Sequence, residues 1–123
     1  MHFTEEHEWV CEAEGNFKVG ISDYAQSELG EVVFVELPDV GSSVKKGDSI
    51  LTVESVKAVS NVYAPIDGEV VAVNEALEGS PELVNEAPEA DGWMIVLKAE
   101  NSGQLEDLMN QEAYKKFVDE VSK

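Results

Sequence analysis

The sequence predicts a mainly β fold with helices (α+β or all-β), built as an antiparallel sandwich or barrel. Short β-branched runs recur at close spacing, Gly- and Pro-containing turns separate them, and near Asn101 the apolar period becomes helical. Parallel βαβ units need a crossover of roughly a dozen residues between strands, and these turns leave no room for one. The chain has 123 residues and is 43% hydrophobic, enough for a core without disulfide or metal support. Residues 1–123 are expected to form a single domain.

His7–Cys11 reads as a short strand, Glu14-Gly15-Asn16 turns, and Phe17–Ile21 returns as the second strand of a hairpin. Ser22–Gly30 predicts a short helix in the N-terminal half. Asp23 with Gln26 reads as its capping box, and Gly30 as its stop. Glu31–Leu37 is β-branched and aromatic, which predicts a well-buried strand ended by Pro38-Asp39-Val40-Gly41. Lys45-Lys46-Gly47-Asp48 turns into Ser49–Glu54, with Ile50 and Thr52 on one face and Leu51 and Val53 on the other. Val59–Ala64 is the next strand, stopped by Pro65. Ile66-Asp67-Gly68 turns into the strand Glu69–Asn74. The turn-then-strand runs Val44–Ile50 and Ala64–Val70 echo each other faintly. Ser80-Pro81-Glu82-Leu83 reads as an N-cap, a proline at the first helical position and a brief helical turn. Asp91-Gly92 turns into the last strand, Trp93–Ala99. Asn101 with Gln104 then starts a C-terminal helical segment over about 102–122. Its apolar stripe (Ala113, Tyr114, Phe117, Val118, Val121) predicts docking on the β core.

Charge excludes several classes of function. Lys+Arg is 8 against Asp+Glu 26, a net −18, and every basic residue is Lys. Nucleic-acid binders need cations against phosphates and read guanine best through a guanidinium, so this chain has the wrong sign and lacks the group. An anionic membrane surface is excluded on the same ground. No apolar run approaches the roughly 20 residues of a membrane helix. The acidity makes a self-repelling surface, and it also suits steering toward partners with basic docking patches. A monomer is expected. Cys11 is the sole cysteine, which fits a reducing compartment, and its place on a short strand predicts a buried, inert thiol. The acidic start Met1–Glu8 has neither the basic region of a signal peptide nor the Arg-rich pattern of a transit peptide.

The common catalytic motifs are missing: no Gly-x-Ser-x-Gly, no His-Glu-x-x-His and no Gly-rich phosphate loop. His7 lies among Glu5, Glu6 and Glu8, but no second His or Cys stands at ligand spacing. A solvated charged strand is expected there rather than a metal site. No nucleophile has a base beside it, so an autonomous enzyme is disfavoured. One feature remains, Val53-Glu54-Ser55-Val56-Lys57-Ala58-Val59-Ser60, in which two strand-like runs flank a tight connection with Lys57 at its crest. The connection has no Gly, Asn or Pro, which disfavours a primed turn and favours an ordinary type I turn. Such a turn pushes the ammonium away from the core. Position alone leaves open a special role for Lys57 and the ordinary role of an exposed, edge-protecting lysine.

The run Val53-Glu54-Ser55-Val56-Lys57-Ala58 resembles the lipoyl-lysine segment of the glycine cleavage H-protein family. His7-Glu8-Trp9-Val10, Val19–Gln26, Leu29–Pro38, Tyr63-Ala64-Pro65, Gly68–Val71, Asn74, Pro81–Asn85 and Gly92-Trp93 resemble that family's pattern in order, over nearly the whole chain. A lone Glu-Ser-Val-Lys is weak, whereas this ordered series is highly specific. Asn61 stands where the family often has an acid, and Pro88–Trp93 departs from the family's usual approach to the Trp.

The resemblance implies a lipoyl-domain-like barrel-sandwich hybrid of two antiparallel sheets, with the short N-terminal-half helix and the C-terminal helix. It implies lipoate in amide linkage on Lys57, with Glu54 and Gly41 as positions read by lipoate-attaching enzymes. It implies a non-catalytic carrier with no metal site. Such a carrier takes the aminomethyl group from the pyridoxal-phosphate-dependent glycine decarboxylase (P protein) to the tetrahydrofolate-dependent aminomethyltransferase (T protein). Dihydrolipoamide dehydrogenase (L protein) reoxidises the dithiol. The compartment implied is the cytoplasm in a bacterium, or the mitochondrial matrix in a eukaryote once a leader is removed. By the same analogy the loaded arm rests in a shallow cleft near the N-terminal hairpin and helix. Two other readings stay open. One is a paralogous H-like protein relaying lipoyl groups to other lipoate-dependent complexes. The other is a biotinyl carrier, although those typically flank their lysine with Met where this chain has Val56 and Ala58.

Overall fold

The strands run in chain order as β1 (His2–Phe3), β2 (Glu8–Ala13), β3 (Asn16–Ile21), β4 (Val32–Glu36), β5 (Ser43–Val44), β6 (Ser49–Ser55), β7 (Val59–Tyr63), β8 (Gly68–Val73) and β9 (Ile95–Ala99). They belong to a computed structural model that describes residues 1–121. Ser122 and Lys123, the end of the expected C-terminal segment and its apolar stripe, lie outside the described residues. The strands make two antiparallel sheets, a six-stranded one in the order β1-β2-β3-β9-β8-β5 and a three-stranded one in the order β4-β6-β7. This is the paired-sheet architecture that the turn spacing predicts.

One apolar cluster draws Val10, Val19, Ile95 and Leu97 from the larger sheet and Val32, Val35, Val53 and Val62 from the smaller. The sheets therefore face each other across a shared core, the arrangement in which both bury their apolar faces. The two echoing turns brace the end of this sandwich where β6 begins. The Gly47 N–H donates to the Ala64 carbonyl at 2.9 Å, and the Ala64 N–H to that of Asp48 at 2.8 Å.

A second cluster lies on the other face of the larger sheet. Phe3, Trp9 and Tyr114 are buried together, with Phe117 and Val118 packed against them. The Phe3 and Tyr114 rings stack with centroids 4.2 Å apart. β2 is consequently buried on both faces, Val10 toward the first cluster and Trp9 toward the second. The Trp9 Nε1–H donates to the Pro88 carbonyl at 2.8 Å. Trp9 pairs with Gly20 across the β2–β3 ladder, and a Cβ at Gly20 would stand 2.8 Å from the indole ring. Only hydrogen fits beneath that ring. Cys11 is half-buried at the margin of this cluster rather than fully buried as expected.

Several elements differ from the sequence expectation. α1 (Asp23–Leu29) is capped by Ser22, whose Oγ accepts the Ala25 N–H at 3.2 Å, while Gln26 bonds to the Asp23 side chain instead of closing a capping box. A bulge between Val32 and Phe34 turns both Val33 and Phe34 outward, so β4 buries only Val32 and Val35. Ser80 ends α2 (Ala76–Gly79) through its N–H to the Ala76 carbonyl, and the brief helix expected there, α3, begins later at Leu83 and ends at Glu86. The C-terminal segment is two pieces rather than one. A 3₁₀ segment covers Ser102–Asp107, Met109 pairs with Phe3 as an extended residue, and α4 (Gln111–Val121) follows. Pairing to the N-terminus straightens the chain between the two helical pieces.

Gly20→Ala should lower stability by about 1–3 kcal/mol, because the Trp9 ring has to leave its packed position. Urea denaturation checks this, and an unchanged midpoint contradicts the close approach.

Candidate functional site

The connection between β6 and β7 is held by one buried hydroxyl and two backbone hydrogen bonds. Ser55 is buried, and its Oγ accepts the N–H groups of Lys57 at 3.3 Å and Ala58 at 3.1 Å. The Ser55 N–H donates to the Ala58 carbonyl at 2.8 Å, and the Val56 N–H to the Glu31 carbonyl at 3.0 Å. Every backbone N–H from Ser55 to Ala58 thus has a partner, as a rigid turn requires. No residue in it has a positive φ, which excludes a primed turn, as the composition predicts. Lys57 stands exposed on this turn. No hydrogen bond or ion pair holds its ammonium among the described residues. Its stem runs past the end of α1, where a Cβ on Gly30 would stand 3.5 Å from the lysine Cε.

A cleft of about 510 Å³ opens beside the turn, between α1, the β1–β2 loop and the edge of β7. His7, Glu8, Tyr24, Glu28, Val59 and Asn61 are among its walls. Glu8 sits at its floor, only 2% exposed. Its Oε1 accepts from the Thr4 hydroxyl at 2.6 Å and its Oε2 from the Tyr63 N–H at 3.2 Å. Burial pushes its carboxyl from 4.5 up to about 7, against these two hydrogen bonds, which favour the ionised form. The cleft therefore holds a carboxyl that changes charge near neutrality.

His7 is not the solvated strand residue expected. It turns the corner before β2 at φ 68, and its ring tilts on Tyr24 at 4.8 Å. Its Nδ1 lies 2.9 Å from the Tyr114 hydroxyl, which is 2.6 Å from Ser22 Oγ. Burial lowers the His7 pKa, against the nearby Glu6 and Glu28, which favours the neutral ring. Tyr114 of α4 thereby ties the loop bearing His7 and Glu8 to the start of α1, and both are walls of the cleft. Among the described residues no group of three or more His, Cys, Asp or Glu side chains is placed to hold a metal.

Lys57 and Glu54 share the β6–β7 hairpin, and Glu54 points outward between Phe34 and Val59. Gly41 does not join them. It turns at φ 98 on the loop after β4, beyond the strand end that is remote from the Lys57 turn. Asn61 lines the cleft, with its Oδ1 taken by the Ser49 hydroxyl at 3.0 Å. Sequence reasoning missed Ser55, Tyr114 and Glu8 as site residues. Only Glu8 left a local signal, an acid inside the buried run Glu8-Trp9-Val10.

Comparison with known proteins follows the same lines. The model of the family described as glycine cleavage H-protein matches residues 1–121. The chain is 55% identical over 123 residues to the glycine cleavage system H protein of Xanthobacter autotrophicus, covering 99% of this chain and 98% of that one. It is 54% identical over 121 residues to that of Alteromonas mediterranea, covering 98% and 94%. The crystal structure of a glycine cleavage system H protein from Mycobacterium marinum superposes with a TM-score of 0.84 at 31% identity, covering 98% of this chain and 95% of that one.

Two outcomes are expected from the cleft. The unfolded chain loses the Glu8 proton near 4.5 and the folded protein near 7, so between these values the folded state binds more protons and stability falls as pH rises. From pH 5 to pH 8 this contribution should decline by about 3 kcal/mol, and Glu8→Gln should lack that slope in urea melts. Tyr114→Phe should cost about 1–2 kcal/mol in the same assay, since the buried Ser22 hydroxyl, left with only the Ala25 N–H, and His7 Nδ1 each lose a hydrogen-bond partner.

Proposed function

The chain belongs to the glycine cleavage H-protein family, and on that premise we propose that Lys57 is the lysine that carries its lipoate. The protein is a lipoyl carrier of the glycine cleavage system, shuttling the aminomethyl group between its enzymes. The observation that carries the proposal is the lysine itself. It is exposed, its ammonium has no polar partner among the described residues, and its turn is fully hydrogen-bonded beside a cleft.

These residues fit the group. Lipoate supplies a dithiolane, a sulfur redox couple that no side chain here offers. The Ser55 hydroxyl fixes the root of the arm. An amide at Lys57 removes the ammonium, so nothing charged at the root opposes entry into an apolar channel. Gly30, which ends α1 at φ 83, lies alongside the lysine stem. The cleft gives a covalently tethered arm a place to rest, where tethering makes its local concentration high. Glu8, at the floor, offers an acceptor to an amine brought there, and His7 and Tyr24 line the same cleft.

In this reading the chain binds and orients, and the bond-making steps belong to the decarboxylase, the aminomethyltransferase and dihydrolipoamide dehydrogenase. Glu54, outward on the hairpin, serves recognition by lipoate-attaching enzymes. Gly41, on the loop after β4, is the second position we assign to that recognition.

Incubation with a lipoate-attaching enzyme, ATP and lipoate should add one lipoyl group to the wild type and none to Lys57→Ala, read by intact mass. The modified wild type should then support glycine decarboxylation by the P protein. No mass gain, where a control H protein is modified, sinks the assignment.

A further inference from the structure

Beside the Lys57 turn the outer face of the smaller sheet carries exposed apolar side chains, whereas its next row, Glu36, Thr52 and Asn61, is polar as a face toward water normally is. Phe34, Glu54 and Val59 are register partners across β4, β6 and β7, so their side chains stand in one row on one face. Phe34 is 48% exposed and Val59 66%. The bulge in β4 adds Val33 at 45%, and the turn adds Val56 at 66%. These are four of the few large apolar side chains exposed among the described residues, and Phe34 and Val59 flank Glu54 directly. No hydrogen bond or ion pair holds the Glu54 carboxylate among the described residues. Without the bulge, Val33 and Phe34 would alternate, and one of them would face the core.

We infer that Phe34, Val59, Val56 and Val33 form the docking surface for the enzyme that acylates Lys57, an apolar rim with a cation set in it to meet Glu54. The inference rests on the Lys57 reading above. That enzyme alone has to bring its catalytic centre within one lysine side chain of the turn. Enzymes acting at the far end of a long arm need not touch its root. The reaction itself sets this geometry. The Lys57 amine attacks the carbonyl of a lipoyl group activated by ATP as a mixed anhydride with AMP. The amide C–N bond forms, the acyl–phosphate bond breaks, AMP leaves, and the amine proton passes to solvent. Docking therefore covers the residues flanking Lys57, and apolar ones give affinity when covered while Glu54 sets orientation. The chain's net charge of −18 draws a basic rim toward it at long range.

The test uses initial rates of lipoyl mass gain against apoprotein concentration, with a lipoate ligase, ATP and lipoate. The double variant Phe34→Ser, Val59→Ser should lower kcat/KM roughly tenfold or more, while kcat at saturation stays within about twofold. Phe34→Leu, which stays apolar, should retain the wild-type rate. So should Val40→Ser, an exposed valine beyond the remote end of β4. Lys57→Ala, which accepts no lipoyl group, should inhibit competitively, and adding the two serines should weaken that inhibition by the same factor. Equal kcat/KM in the double variant and the wild type overturns the docking surface and leaves the carrier reading standing. No mass gain in the wild type overturns the carrier reading, and this inference with it.

Discussion

The Ser55 hydroxyl is the contact on which the rest depends. A tethered group works only if its root is held while its far end moves, and the root here is a turn with no glycine, no proline and no positive φ. Such a turn closes poorly from backbone hydrogen bonds alone, because an ordinary turn splays the flanking strands. The Ser55 oxygen takes up the Lys57 and Ala58 N–H groups, and Glu31 takes up that of Val56. Lys57 is thereby presented by a frame anchored to two strands, with its own side chain left free of ties.

The cleft beside it exists because β2 is buried on both faces. Val10 reaches the shared core and Trp9 the cluster under α4, which leaves Glu8, at the start of the strand, buried at the cleft floor. A buried carboxyl is costly when ionised, and its two hydrogen bonds offset that cost only in part. Charge near neutrality is thus a consequence of packing. The same packing brings Tyr114 from the far end of the chain onto Ser22 and His7. A helix that looks like simple cover is in this way also a support for the cleft wall.

The acidity of the surface has a division of labour. Most of the 26 acids keep the protein dispersed. Around Lys57 the pattern changes, with Glu54 set in a row between exposed apolar side chains. Long-range charge brings a basic partner near, and the apolar row supplies contact area once water is displaced.

The sequence by itself determined the alternating strands, the turns, the helical C-terminal stripe and the exposed position of Lys57, because each is a local matter of period and turn chemistry. The ordered resemblance assigned the lysine its cofactor, which spacing alone left open. Only the tertiary structure decided which residues serve that lysine. Ser55 looks like any strand-end serine until its burial beneath the turn is known. Glu8 looks like one acid of many until the strand is seen covered on both sides. Tyr114 reads correctly as a packing residue, yet its hydroxyl meets Ser22 and His7, which lie about a hundred positions away along the chain. Even the bulge that exposes Phe34 contradicts its own sequence, since a β-branched and aromatic run reads as buried. Each of these depends on contacts between residues distant in sequence, and no local period records them.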